Sequence, residues 1–172
     1  MNIARAGSTP APAAPQVARR RVPVAAVLAD RLDDIAVVDA AAALAAARGA
    51  PLLLIAIMPG PPPGSAGVPP GSVASRAVLG RAMPRLARAG IAHEATVHHR
   101  PAAQGGGRLR EAKALLDTAV RHGCSLLVVS RSGPAGLDAC TVVEATAIRG
   151  GPLVHAAASV AWVPLATPCR DR

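Results

Sequence analysis

Apolar runs of strand length alternate along this chain with segments of helical period, the pattern of a parallel sheet wound with crossover helices. The first run, over 22–29, ends at Asp30, and Pro23 falls at its start, where a missing N–H matters least. Asp33 and Asp34 then supply a cap and first-turn charge to an alanine-dominated helix reaching Arg48, which Gly49 closes. The second run, PLLLIAIM over 51–58, is hydrophobic without alternation, which predicts a central strand covered on both faces. The stretch over 59–72 is so rich in Pro and Gly that it predicts a long mobile loop, placed where such loops lie over a ligand crevice. A helix is expected from Ser72 or Ser75 to Ala89, kinked at Pro84 and ended by Gly90.

The run over 91–98 alternates imperfectly and predicts an exposed edge strand, followed by a second flexible loop, RPAAQGGG. The clearest helix spans 109–122. Leu109, Ala112, Leu115, Leu116, Ala119 and Val120 form one stripe, Lys113, Asp117 and Arg121 are spaced for i,i+4 pairs, and Gly123 is the C-cap. The next segment, SLLVVSRSGPAG over 125–136, is the most informative: a β-branched fourth strand empties into a Ser/Gly loop, where α/β folds place ligands. Beyond it the pattern blurs, with Thr141-Val142-Val143, then Glu144 and Ala145, then a Gly150-Gly151-Pro152 break. ASVAWVPL over 158–165 predicts the fifth strand, Pro164 limiting its pairing. Right-handed crossovers wind this order into a three-layer α/β/α sandwich around a five-stranded, mainly parallel sheet.

At 172 residues the chain suits one domain, expected over 21–167, with a disordered basic arm at 1–20 and a short tail at 168–172. Apolar residues make up 51% of the sequence and aromatics 1%, so the core must be built from Ala, Leu, Val and Ile, and the stacking platforms of a single-strand nucleic-acid binder cannot be assembled. All but one of the 19 basic residues are arginine, giving a formal charge of +9, but they are scattered, with clusters only at Arg19-Arg20-Arg21 and at Arg81, Arg85 and Arg88. With no recognition motif beside the charge, nucleic acid is not the expected partner. Three cysteines without a CxxC pair suit a reducing cytoplasm and imply neither a disulfide framework nor a zinc site. The N-terminus lacks the apolar core of a secretory signal, and no uninterrupted apolar stretch is long enough to span a bilayer, so a soluble protein is expected.

Several chemistries drop out by motif. No GxxxxGK[ST] loop, no GxGxxG after the first strand and no GxSxG elbow occurs. The third strand ends in His98-His99 rather than the acidic residue a phospho-receiver needs. His93, His98 and His99 crowd one strand, but adjacent strand residues point to opposite faces and no Cys or Asp completes a metal shell. Asp30, at the carboxyl end of the first strand, faces the crevice, or else serves as a turn residue ahead of the helix.

VAAVLAD with its Ala-rich helix, RGAPLLLIAIM, EAKALLDTAVRHGCSLLVVSRSG and VHAAASVAWVPL together resemble the universal stress protein family in order and spacing, over about 21–165. The resemblance implies a five-stranded parallel sheet of the adenine nucleotide alpha hydrolase-like kind, commonly dimeric through the last strand, where Pro164 removes one donor. ATP-binding members carry G-x2-G-x9-G-[ST] after strand four, glycines that let backbone N–H groups approach the phosphates. Here Ser130 and Gly133 as the pair lead to Val143-Glu144, whereas Gly133 and Gly136 lead to Thr146-Ala147, with the interval from Thr146 to His155 in favour of the second register. The resemblance thus implies a degenerate site for ATP or AMP, lined by Asp30, Ile57, Ser130, Gly133, Gly136 and Thr146, in a non-catalytic regulatory protein without a metal. Two alternatives stay open: an ATP-binding member with slow hydrolysis, loops 59–72 and 101–107 closing over ATP and Arg131 supplying charge, and an interaction module acting through the last strand or the basic arm.

Overall fold

The computed structural model describes residues 21–62, 64–100 and 107–158. Five strands, β1 (Val24–Leu28), β2 (Leu52–Met58), β3 (His93–His99), β4 (Leu126–Ser130) and β5 (Leu153–Ala157), form one sheet in the order β3-β2-β1-β4-β5. Every neighbouring pair is parallel. Each strand therefore needs a crossover helix, and the five helices α1 (Asp34–Arg48), α2 (Val73–Leu79), α3 (Met83–Ala89), α4 (Gly107–Arg121) and α5 (Ala139–Arg149) divide between the two faces. Strand alternation sorts the core. Val24, Ala26, Leu28, Leu54 and Val128 pack with α1, α2 and α3, while Ala25, Val27, Ile55, Leu127 and Val129 pack with α4 and α5. All residues of β1, β2 and β4 are buried, which is why those runs carry no polar alternation. The three-layer α/β/α sandwich is as the pattern predicts, with β2 an interior strand covered on both faces and β1 in the middle of the sheet.

Three local expectations change. The helix expected from Ser72 to Ala89 is two helices separated at residues 80–82; Ser72 caps α2 by accepting from Ser75 N–H, and Pro84 stands in the first turn of α3, where it has no intrahelical donor to lose. On α4, Val120 faces outward at 53% exposure and Thr118 takes the buried place, while Asp117 pairs across to Arg149 of α5 instead of along its own helix. The fifth strand of the sheet among the described residues is Leu153–Ala157, directly after the Gly150-Gly151-Pro152 break; Leu153 N–H donates to Ser125 O at 2.9 Å and starts the ladder to β4. Residues 159–165, with Trp162 and Pro164, and the expected segments 1–20 and 168–172 lie outside the described residues.

β3 is the exposed edge, as its imperfect alternation implies, yet His98 is only 5% exposed. Its Nδ1 lies 3.1 Å from Thr118 Oγ1, which donates to Ala114 O at 3.2 Å and accepts from Arg121 Nη2 at 3.1 Å. With the hydroxyl proton committed to Ala114, Nδ1 carries the ring proton and Nε2 is bare, buried and without a partner among the described residues. Burial first, then the charges of His99, Arg121 and Arg100, push the His98 pKa down to about 4. Between the ordinary 6.5 and about 4 the unfolded chain binds a proton that the folded one refuses, so acid favours unfolding in that window. Urea unfolding is expected to show full stability above pH 6.5 and a loss of up to about 3 kcal/mol on descent to pH 4, at about 1.4 kcal/mol per unit of pKa difference. His98→Gln, which keeps a donor for Thr118 and cannot titrate, should flatten that slope; an unchanged slope would assign it to other groups.

Candidate functional site

The strand order reverses direction between β1 and β4, and the crevice beyond their carboxyl ends is where the loops part. Asp30, two residues past the end of β1, lies in the left-handed region, φ +56°, the one non-glycine residue there among the described residues. Asp34 explains that conformation: its carboxylate accepts the N–H groups of Ala29 at 3.0 Å and Arg31 at 3.0 Å, closing the turn around Asp30 and directing the Asp30 side chain outward. Burial raises the Asp34 pKa, partly offset by hydrogen bonds from Arg31, Ala29 and Asp30 and by Arg81. Arg81, from the α2–α3 linker, reaches to 3.6 Å from Asp30 Oδ1.

Across the crevice, Ser130 at the end of β4 donates its hydroxyl to Asp33 Oδ2 at 3.3 Å and accepts Ser132 N–H at 3.2 Å. That bridge joins the β1–α1 and β4–α5 loops. Asp33, at the N-cap position of α1, makes no side-chain cap bond, which leaves its carboxylate available for Ser130.

The loop after β4 is shaped by close approach. Gly133 has no positive φ, but a Cβ there would lie 2.6 Å from Leu137 O and 3.0 Å from Asp138 Cα. Gly136 has φ +84° and no room either, Arg108 O lying 3.1 Å from its Cβ position. Arg100, at the exit of β3, pairs through Nε with Glu111 Oε1 at 2.5 Å and donates from Nη2 to Glu111 Oε2 at 3.0 Å and to Ala135 O at 3.1 Å, holding the loop against α4. α5 then begins at Ala139, capped by Asp138, whose carboxylate accepts Thr141 N–H at 3.0 Å and its hydroxyl at 2.7 Å. Partial burial opposes ionisation of Asp138, but these bonds outweigh it and hold its pKa below the usual carboxylate value.

Of the six residues singled out from sequence, Asp30, Ser130, Gly133 and Gly136 lie on the loops that flank the crevice. Thr146 does not: it sits inside α5, seven residues past the helix start, with its hydroxyl donating to Val142 O at 2.9 Å. Neither spacing of the glycine signature therefore brings Gly-Ser or Gly-Thr to the start of α5, where Asp138 and Ala139 stand. Ile57 is buried in the α4 face of the core and contributes an apolar wall beside β1. Asp33, Arg81 and Asp138 complete the crest. Asp138 with Thr141 is a legible cap spacing, obscured because Thr141-Val142-Val143 reads as strand. Two open grooves, of about 750 and 600 Å³, lie along α4 rather than at the crest. Among the described residues no three His, Cys, Asp or Glu approach closely enough to hold a metal, and no helix is long and apolar enough to cross a membrane.

No family model matches the sequence, and no curated protein matches it. Solved structures do match the fold. A universal stress protein in complex with cAMP is 23% identical, covering 81% of this chain and 98% of its own, with a TM-score of 0.54. This chain has the universal stress protein fold. A universal stress protein from Archaeoglobus fulgidus in complex with dAMP is 18% identical, covering 80% of this chain and 98% of its own at a TM-score of 0.55. A universal stress protein family member from Burkholderia pseudomallei is 22% identical, covering 80% and 97%, at a TM-score of 0.54. The universal stress protein fold thus accounts for the five-stranded sheet.

Two substitutions test the crest of this universal stress protein fold. At Gly133 the atoms that a Cβ would meet belong to the backbone and cannot swing away, so Gly133→Ala should lower stability by about 1–3 kcal/mol in denaturant unfolding, the usual cost of overpacking. Asp30→Gly should do the reverse. Left-handed backbone costs a non-glycine residue about 1 kcal/mol, whereas the Arg81 contact at 3.6 Å, with the two side chains 46% and 60% exposed, is worth at most a few tenths. A gain of about 0.5–1 kcal/mol is expected, and a loss would show that Asp30 holds the turn itself.

Proposed function

We propose that this chain is a non-catalytic regulatory protein of the universal stress protein kind, responding to stress by binding an adenine nucleotide in the β1–β4 crevice. The observation that carries the reading is the Ser130–Asp33 bridge, which ties both crest loops into one site at the switch point of a fold whose solved neighbours hold cAMP and dAMP. A binding role is favoured over a catalytic one because the Ser130 hydroxyl is engaged in holding the two loops together, donating to Asp33 and accepting Ser132 N–H. The working unit is proposed as 21–167, in the cytoplasm. Pairing with a second copy through the last strand is favoured by Leu153 on β5, an apolar side chain 67% exposed.

Calorimetric titration with AMP and cAMP tests the reading. Micromolar binding, about 8 kcal/mol, is expected for the wild type. Asp33→Ala, which unties the loops, should weaken it at least tenfold. No heat from either ligand would retire the nucleotide reading, and nucleotide-dependent phosphate release from ATP would move the chain to the enzyme class.

A further inference from the structure

Helix α4 carries Lys113, Asp117 and Arg121 at the spacing by which one carboxylate neutralises a cation on either side of it. Its side chains do otherwise. Asp117 pairs across to Arg149 of α5, and the Arg149 guanidinium also donates to Lys113 O at 3.2 Å, which fixes that carboxylate on the α5 side. Arg121 donates to the uncharged Thr118 hydroxyl at 3.1 Å. Neither Lys113 nor Arg121 has a carboxylate partner among the described residues. Both cations line open space. A groove of about 750 Å³ between α4 and α5 is lined by Lys113 and Arg149, one of about 600 Å³ between α4 and β3 by Arg121 and Val97, and Ala114 and Asp117 line both. Leu109, Ala114 and Ile148 give the first groove apolar surface, Ile148 being 61% exposed.

The two grooves thus meet in one trough along α4, apolar in part, with an unpaired cation toward each end and a neutralised carboxylate between them. On a chain with a formal charge of +9, such a trough is complementary to an acidic partner. We infer that it docks an extended acidic segment of another protein, with two carboxylates on Lys113 and Arg121 and an apolar side chain against Leu109, Ala114 and Ile148. The spacing follows from the helix. From Lys113 to Arg121 α4 rises about 12 Å, which an extended chain covers in about four residues, the first and last on the same side. The segment that fits therefore has acidic residues at i and i+4. A nucleic-acid strand fits less well: it carries a charge at every step, Asp117 included in its path, and no Phe, Tyr or Trp lines the trough to stack a base. This surface lies away from the crest and does not depend on a nucleotide being bound there.

Fluorescence anisotropy tests it with three labelled probes: a peptide holding two glutamates four residues apart and a leucine ahead of them, a peptide of the same composition with the glutamates adjacent, and an oligothymidylate. Each is titrated with the wild type, Lys113→Glu, Arg121→Glu and Arg76→Glu, the last an equal change of charge at an exposed position of α2. Circular dichroism confirms that the variants fold. The spaced peptide is expected to bind the wild type, to lose at least about fivefold in affinity with either α4 variant, the scale of one charge contact across an interface, and to change less than about twofold with Arg76→Glu. The adjacent-glutamate peptide should bind more weakly. Equal affinity for the two peptides, or an equal loss with Arg76→Glu, would show attraction by net charge alone and overturn the assignment. Tighter binding of the oligothymidylate, weakened by the α4 variants, would hand the trough to nucleic acid. No binding of any probe would leave Lys113 and Arg121 as solvated charges and overturn the proposal.

Discussion

β1 is covered on both faces and paired on both edges, and the rest of the molecule depends on its being thin enough to allow that. Its five residues include Ala25 and Ala26, and all five are at most 6% exposed. On one face α1 meets it with Val37, Val38, Ala41 and Ala45; on the other, α4 and α5 contribute Ala112, Ala119 and Ala145. A core without Phe or Tyr can reach native density only if helices approach the sheet closely, and alanines on both partners permit it. The same requirement explains why α1 shows little amphipathic contrast: alanine serves on its buried and exposed sides alike.

The position of β1 also creates the site. Once β2 and β3 have been laid down on one side, β4 must return to the other, and the loops leaving β1 and β4 turn apart. Ser130 and Asp33 then meet across the gap although 97 residues separate them in sequence. That separation makes the crest a product of topology rather than of any local motif. It also makes the crest dependent on both crossovers being right-handed, since the opposite hand would carry α1 and α5 to other faces.

Where burial dictates the residues, sequence and structure agree. Continuous apolar runs in β1, β2 and β4 and the Leu115-Leu116 stripe of α4 are legible because solvent is excluded from them. At the edge of the sheet that rule weakens. β5 alternates between exposed and partly buried positions and contains His155, so a more apolar stretch further along the chain outcompetes it as a strand signal. The α2–α3 break was foreshadowed by Pro84, but Pro84 begins a helix instead of bending one, a difference that only capping of the preceding helix at Ser72 and the turn at Gly80 decides. In the site, Asp30, Ser130, Gly133 and Gly136 follow from their place at strand ends. Thr146 falls inside α5 because motif spacing assumes a loop of fixed length, and here the helix begins six residues after Gly133.

That short loop is held from outside its own sequence. Arg100 uses its fork on Glu111 and Ala135 O, so the exit of β3, the first turns of α4 and the loop after β4 are joined by one side chain. Glu111 is only 13% exposed on its side-chain atoms, and its carboxylate also limits what can stand at Gly136, 3.0 Å from the Cβ position. With Arg100 on one side and the Gly133–Leu137 contact on the other, the loop has little freedom to reopen toward an incoming phosphate. The glycines that in a phosphate loop admit a ligand here admit the protein's own backbone. Glycine at these positions is thus evidence for close packing.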